Sequence, residues 1–191
     1  YACDRIDKTN ETIKPKKITD DEIIELRTIG KGSIFKTVLY YHIEYEKLVV
    51  IKKYDSGNDE IKKLLKREIQ NYKKINHLFI PKYYGKIKFD ELYYPVIEFI
   101  NGKTLYTTDL SHLSETEKYQ IILQMILVIN YLHDKHFIYR DLKLDNVMID
   151  ENKIHVLIDF DRMIKDGYKY DITDITADFS EYAAPETNNK S

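Results

Sequence analysis

Two hydrophobic periods follow each other along this chain, and their order restricts the folds that it can adopt. Residues 23–54 are dominated by β-branched and aromatic residues, which predicts three antiparallel strands with a break near Gly30. Residues 59–75 then place apolar side chains at helical spacing among lysines. Two more strands are predicted over residues 82–89 and 92–99. The first hundred residues therefore indicate a five-stranded antiparallel sheet with one helix.

A second, more helical part is predicted after the break at Asn101 and Gly102. Ser114 and Glu117 form a capping box, in which the two side chains satisfy free N–H groups at a helix start. The helix is predicted to end near Lys135, and its apolar face is predicted to consist of Ile122, Met125, Ile126, Ile129 and Leu132. Short strands are predicted over residues 147–149 and 154–158.

This order of elements predicts an α+β chain with two lobes. The first lobe is predicted over residues 21–100 and the second over residues 101–191. Residues 1–20 carry many charges and no apolar period, so we expect a flexible lead-in there.

Composition excludes several classes of function for a chain of 191 residues. The formal net charge of −2 gives no case for a nucleic-acid partner. The longest apolar run, residues 121–129, is too short to cross a bilayer, so we expect no membrane segment. A single cysteine, Cys3, excludes an internal disulfide and favours a reducing, cytoplasmic location.

Four short motifs occur in a fixed order along the chain. Tyr139-Arg140-Asp141-Leu142-Lys143-Leu144-Asp145-Asn146 closely matches the pattern H-R-D-L-x-x-x-N. Val49-Val50-Ile51-Lys52 precedes it, and Ile158-Asp159-Phe160 and Ala184-Pro185-Glu186 follow it. With these motifs the chain resembles a eukaryotic-type protein kinase. The resemblance implies a bilobal fold with a five-stranded antiparallel sheet and one helix in the N-lobe. It also implies a mainly helical C-lobe with further helices after Glu186, so we expect this lobe to be incomplete.

The resemblance assigns a nucleotide site to the cleft between the lobes. Gly30 and Gly32 correspond to a phosphate-covering loop, and Lys52 corresponds to the lysine that pairs with the α- and β-phosphates. Glu68 is implied to be the anionic partner of Lys52. Backbone groups of Glu98 and Ile100, after a gatekeeper at Ile97, are implied to bond the adenine edge. The resemblance also assigns Val38, Val50, Met148 and Asp159 to this site.

The resemblance assigns phosphoryl transfer to four residues. Asp141 corresponds to the carboxylate that accepts the proton of a substrate hydroxyl, and Lys143 to the cation beside the transferring group. Asn146 and Asp159 supply the oxygen ligands that Mg²⁺ prefers. The implied reaction is ATP-dependent, Mg²⁺-dependent phosphorylation of a protein substrate, and the Asp-Leu-Lys form favours serine or threonine as acceptor.

Several departures from the family pattern keep a second interpretation open. Phe35 replaces the third glycine of the loop, Val50 replaces a small alanine, and Asp161 replaces the last residue of Asp-Phe-Gly. These changes favour a nucleotide-binding pseudokinase or scaffold, whereas the retained Lys52 and Asp141 favour an active enzyme. Tyr139 in place of histidine also occurs in some serine/threonine kinases. A small-molecule kinase is the third class, and Ala184-Pro185-Glu186 argues for a protein substrate instead.

Arg140 is expected to pair with an anion on the segment that follows Asp159. One alternative is a phosphate, with Tyr168, Tyr170, Thr173, Thr176 and Ser180 as candidate acceptors. Phe179 stands where such kinases usually carry a threonine. The other alternative is a carboxylate that fills the pocket without modification: Asp166, Asp171, Asp174 or Asp178.

Overall fold

The structure is a computed structural model that describes residues 14–32, 34–55 and 57–167. Its largest feature is one sheet of six strands. These are β1 (Lys16–Ile18), β2 (Ile23–Lys31), β3 (Phe35–His42), β4 (Lys47–Tyr54), β5 (Tyr83–Phe89) and β6 (Leu92–Glu98). The order across the sheet is β1-β5-β6-β4-β3-β2. All pairs among β2 to β6 are antiparallel, as the sequence predicts.

The sixth strand corrects two expectations. Strand β1 lies within residues 1–20, where a flexible lead-in was expected, and it pairs with β5 in parallel. Ile18 is 1% exposed and packs in the N-lobe core. The pairing needs a glycine, because a Cβ atom at Gly85 would lie 2.1 Å from the carbonyl oxygen of Lys16. A single buried isoleucine among charged residues shows no period, so sequence patterning could not reveal this strand.

One helix covers the inner face of the sheet. Helix α1 (Asp59–Tyr72) begins at Asn58, whose side chain accepts a hydrogen bond from the backbone N–H of Ile61 at 2.9 Å. It ends three residues earlier than the predicted residue 75. Ile61 and Leu65 recur one helical turn apart and pack into the same core as the sheet. This packing places α1 against β6 in the N-lobe.

The second lobe contains one α-helix within residues 101–167, with short strands around it. Helix α2 (Glu115–Asp134) begins with the predicted capping box of Ser114 and Glu117. Strands β7 (Gly102–Thr104), β9 (Val147–Asp150) and β10 (His155–Leu157) form one small sheet. Strands β8 (Phe137–Ile138) and β11 (Ile164–Lys165) form another. The mainly helical character expected for this lobe is therefore not seen in its described part.

The buried face of α2 differs from the predicted one. Met125 and Leu132 are buried as expected, and Val128 joins them with no exposed surface. Ile122 and Ile126, however, are 54% and 58% exposed. Residues 121–129 are apolar almost all round the helix, so periodicity alone could not select the side that packs.

A hydrophobic cluster joins the two lobes. It contains Ile69, Tyr72 and Tyr83 from the N-lobe and extends to Leu132 and Phe160 of the C-lobe. Backbone contacts add to it, since the N–H of Leu157 donates to the carbonyl oxygen of Phe79 at 2.9 Å. The cluster places the end of β4 opposite the loop before β9, and the cleft between them holds the predicted site residues.

Candidate active site

Strand β4 presents Lys52 to the cleft. Successive side chains on a strand point to opposite faces, so Val50 and Lys52 share one face and Lys53 lies on the other. The Lys53 ammonium lies 4.0 Å from the ring centroid of Phe89, away from the cleft. The placement of Val50 and Lys52 agrees with the expectation from alternation.

Val38 does not share that face, contrary to its predicted place in the nucleotide site. In the β3–β4 register Val38 pairs with Ile51, and both side chains are fully buried in the N-lobe core. Thr37 is the residue that pairs with Lys52. A Cβ atom at Gly30 would lie 3.6 Å from the Thr37 side chain. Because Val38 comes one position later than the family pattern requires, strand alternation turns it away from the cleft.

Two carboxylates hold the ammonium of Lys52. Its Nζ atom lies 3.1 Å from both oxygens of Asp159 and 2.9 Å from Oδ2 of Asp161. Burial alone would lower the pKa of Lys52, but Asp159 and Asp161 outweigh it and raise that pKa well above the ordinary value. The lysine is therefore charged at every physiological pH and is fixed between two loop aspartates.

Glu68 is not an ion-pair partner of Lys52 in the described part of the chain, contrary to expectation. Glu68 lies on the buried side of α1 and is only 3% exposed. Its Oε2 atom has no hydrogen-bond partner among the described residues. Burial raises the pKa of Glu68 to about 8, and the nearby charge of Lys52 offsets this only in part. The carboxyl group is thus mostly neutral at pH 7.

The loop before β9 brings three predicted residues together. Asp141 is 7% exposed, and its Oδ2 atom accepts a hydrogen bond from Nδ2 of Asn146 at 2.7 Å. The Nζ atom of Lys143 lies 3.1 Å from the same oxygen. A 3₁₀ helix, Leu144–Asn146, turns Asn146 back toward Asp141. One carboxylate is therefore oriented by an amide and a cation.

Asp159 and Phe160 follow β10 and connect the two halves of the site. Asp159 has a φ of 62°, a left-handed conformation that is costly for a residue with a side chain and is typical of functional sites. Burial raises the pKa of Asp159, and the charges of Asp161 and Asp141 add to that rise while Lys52 opposes it. The protonation of Asp159 therefore depends on the charges of both other aspartates.

Four aromatic rings form a column behind the site, which we call the aromatic column. It consists of Tyr83, Tyr72, Phe160 and Tyr139, with neighbouring centroids 5.8, 5.4 and 5.3 Å apart in that order. The Tyr139 hydroxyl donates to the carbonyl oxygen of Ile158. The column runs from β5 through α1 to both loops of the site, so it fixes their relative position. Tyr72 and Tyr83 had no predicted part in the site, because only the fold brings them together behind it.

The glycine loop lies low over Lys52. The N–H of Gly32 donates to the carbonyl oxygen of Phe35 at 2.8 Å. The Phe35 ring centroid lies 4.2 Å from the Lys52 ammonium, and a Cβ atom at Gly32 would lie 2.6 Å from that ring. Gly32 therefore leaves the space that the ring occupies, and Phe35 covers the lysine by a cation–π contact.

The predicted adenine-binding residues lie at the end of β6. Ile97 pairs with Val50 across the sheet, and the N–H of Glu98 donates to the carbonyl oxygen of Lys82 at 2.8 Å. Ile100 is 6% exposed and belongs to a small apolar cluster against which Met148 packs. Ile97 therefore lies on the strand next to the one that carries Lys52, and the contact of these residues with a nucleotide remains a prediction.

The residues present fit a magnesium ion held between protein and phosphate. Asn146 uses its Nδ2 atom to bond Asp141, so its amide oxygen is the group left for a cation, and Asp159 offers a carboxylate. Within residues 14–32, 34–55 and 57–167 no cluster of three or more His, Cys, Asp or Glu side chains has metal-site geometry. Two protein ligands suit magnesium, because this ion usually takes its remaining ligands from water and substrate phosphates.

Part of the predicted switch cannot be placed. Arg140 has a φ of 72° and precedes the catalytic loop aspartate. Asp166 is described, and its N–H donates to the carbonyl oxygen of His136 at 2.7 Å. The other candidates lie outside the described residues: Tyr168, Tyr170, Asp171, Thr173, Asp174, Thr176, Asp178, Phe179, Ser180 and the Ala184-Pro185-Glu186 motif.

In the described part of the chain, neither α1 nor α2 combines the length and apolar character that a membrane span requires.

Comparison with known proteins gives consistent matches. A family model described as "Protein kinase domain" matches residues 23–191. Serine/threonine-protein kinase SIK1 of Mus musculus is 36% identical over 138 residues, which cover 70% of this chain and 18% of that protein. Serine/threonine-protein kinase sgk-1 of Caenorhabditis elegans is 29% identical over 192 residues, covering 94% of this chain and 41% of that protein. The probable serine/threonine-protein kinase MARK-A of Dictyostelium discoideum is 32% identical over 141 residues, which cover 71% of this chain and 13% of that protein. The chain therefore spans less than half the length of these relatives.

Proposed function

Because the chain belongs to the protein kinase family, we propose that it transfers the γ-phosphoryl group of ATP to a serine or threonine hydroxyl of a protein. The observation that carries this proposal is the contact of Asp141 with both Lys143 and Asn146. The relatives that are named serine/threonine-protein kinases support the choice of acceptor.

In this proposal Asp141 binds the acceptor hydroxyl and orients it. Asn146 and Lys143 hold the Asp141 carboxylate, so one of its oxygens can accept the hydrogen bond of the hydroxyl. As the acceptor oxygen bonds to the γ-phosphorus, the bond from that phosphorus to the leaving oxygen of ADP breaks. The hydroxyl proton passes to Asp141, and Lys143 offsets negative charge on the moving phosphoryl group.

Lys52 binds the phosphates that stay with ADP. The Lys52 side chain is 15% exposed, so phosphate oxygens can reach its ammonium once the Phe35 ring moves aside. Asn146 and Asp159 would hold magnesium, which when bound offsets the charge of the phosphates. Thr37, Val50, Ile100 and Met148 supply the surface for the nucleoside.

The second candidate is a scaffold that binds nucleotide without transfer. The contact of Lys52 with Phe35 favours it, because the ring lies over the ammonium to which phosphates would bind. Calorimetry with Mg·ATP combined with a transfer assay separates the two candidates. A scaffold would release binding heat and transfer no phosphate.

The test of the main proposal is Asp141→Asn in the full chain, with labelled ATP and a generic protein substrate. We expect kcat to fall about 10²–10⁴-fold, the usual contribution of a general base, with nucleotide binding retained. Asp134→Asn is the matched control, because Asp134 is an exposed aspartate at the end of α2. Equal activity of Asp141→Asn and wild type would refute the proposed role.

A further inference from the structure

The segment after Asp159 is attached to the N-lobe by three polar contacts. Lys52 of β4 pairs with the Asp161 side chain at 2.9 Å, and Nη2 of Arg67 donates to the Asp161 carbonyl oxygen at 3.1 Å. One turn further along α1, Nδ2 of Asn71 donates to the carbonyl oxygen of Met163 at 2.8 Å. Asp161 thus contacts both the strand and the helix that form the N-lobe side of the cleft.

The Asp161 contact is well shielded from water. The two side chains of the Lys52–Asp161 pair are 15% and 14% exposed. A shielded, charge-assisted hydrogen bond of this kind fixes side-chain geometry more firmly than an exposed ion pair does.

The other two acidic groups near Lys52 are less suited to hold it during turnover. This step rests on the proposed function, in which Asp159 would hold magnesium and its carboxylate would be shared between that ion and Lys52. Glu68 is buried inside α1, has an oxygen without a partner and is mostly neutral at pH 7. Of these three carboxylates, Asp161 is then the one whose hydrogen bond to Lys52, at 2.9 Å, is left to hold the ammonium.

We propose that Asp161 is the positioning residue for Lys52 and takes the part that the family resemblance implies for Glu68. The Asp161 carboxylate orients the Lys52 ammonium toward the phosphates. Because Arg67 of α1 binds the Asp161 backbone, this orientation depends on the position of α1. A glycine at residue 161 could not do this, because it has no side chain.

Two double-mutant cycles on the full chain test this without ATP. The first combines Lys52→Gln with Asp161→Asn, and the second combines Lys52→Gln with Glu68→Gln, so both cycles change one carboxylate to an amide. We expect the melting temperature in the first cycle to deviate from additivity by about 3 °C or more. The second cycle should be additive within about 1 °C, and coupling found there instead would overturn the proposal.

A kinetic comparison provides the second readout. We expect Asp161→Asn to raise the KM for ATP about tenfold, whereas Glu68→Gln should change it less than about threefold. A lower KM in Asp161→Asn would overturn the proposal, because it would show that Asp161 competes with ATP for Lys52. If Lys52→Gln does not fold, this comparison decides alone. Failure of the proposed function is distinct, since wild type would then show no binding heat with Mg·ATP while the cycles keep their outcome.

Discussion

The substitution Glu68→Gln should remove much of the pH dependence of stability between pH 5 and pH 8. Glu68 is 3% exposed, and burial raises its pKa from 4.5 to about 8. A carboxyl group whose pKa is higher in the folded than in the unfolded state binds its proton more tightly when folded. Its contribution to stability is therefore full below pH 4.5 and is lost as pH rises toward 8.

The size of this effect follows from the two pKa values. At about 1.4 kcal/mol per pH unit, the difference between 4.5 and about 8 corresponds to about 5 kcal/mol in full. About 3.5 kcal/mol of that falls between pH 5 and pH 8. In a domain of this size such a change moves the melting temperature by roughly 10 °C.

Thermal unfolding of the full chain at pH 5, 6, 7 and 8 measures this. Comparing each variant with wild type cancels the titration of groups that all of them share. We expect Glu68→Gln to gain stability relative to wild type as pH rises, while Glu60→Gln, exposed on the same helix, follows wild type. Parallel curves for Glu68→Gln and wild type would refute the argument, because they would mean that Glu68 is ionised and solvated in the folded protein.

Further substitutions test the structural corrections and the aromatic column. Gly85→Ala should release strand β1, because its Cβ atom would lie 2.1 Å from the Lys16 carbonyl oxygen, and hydrogen exchange of the β1 amides should rise while Gly57→Ala leaves it unchanged. Phe160→Ala should cost about 3–5 kcal/mol in urea unfolding, because the ring is fully buried between two tyrosines, and a loss below about 1 kcal/mol would contradict the packing role. Val38→Ala should lower the free energy of unfolding by about 2 kcal/mol with little change in the KM for ATP. Thr37→Ala should change that KM more than it changes stability. A large change of KM in Val38→Ala and none in Thr37→Ala would show that Val38 lines the nucleotide site.

The grouping of Asp141, Lys143 and Asn146 was predictable because it is local in sequence. Asp141, Lys143 and Asn146 lie within six residues of one another, so one turn brings them together whatever the rest of the chain does. The ladder of β2 to β6 was also predictable, because alternating β-branched residues and turns mark each strand.

The errors arose where a single position or a distant contact decides the outcome. Val38 and Thr37 differ by one place along β3, and a one-residue change reverses the face of a strand. The partners of Lys52 are Asp159 and Asp161, which lie more than 100 positions further along the chain. A local sequence pattern contains Glu68 but not these distant residues, so it cannot show which carboxylate contacts the lysine. The exposed Ile122 and Ile126 show the same limit for a helix that is apolar on nearly every side.

The aromatic column also gives the protein an intrinsic spectroscopic probe of its conformation. The chain has no tryptophan and 17 tyrosines, so its ultraviolet emission comes from tyrosine alone. Three of those phenols stand in the column that links the lobes, and burial raises the pKa of each of them, to about 12 for Tyr83. A movement that opens the cleft would separate Tyr72 of the N-lobe from Phe160 of the C-lobe and expose the Tyr72 ring to water. Unlabelled protein can therefore report lobe opening through tyrosine fluorescence and near-ultraviolet circular dichroism.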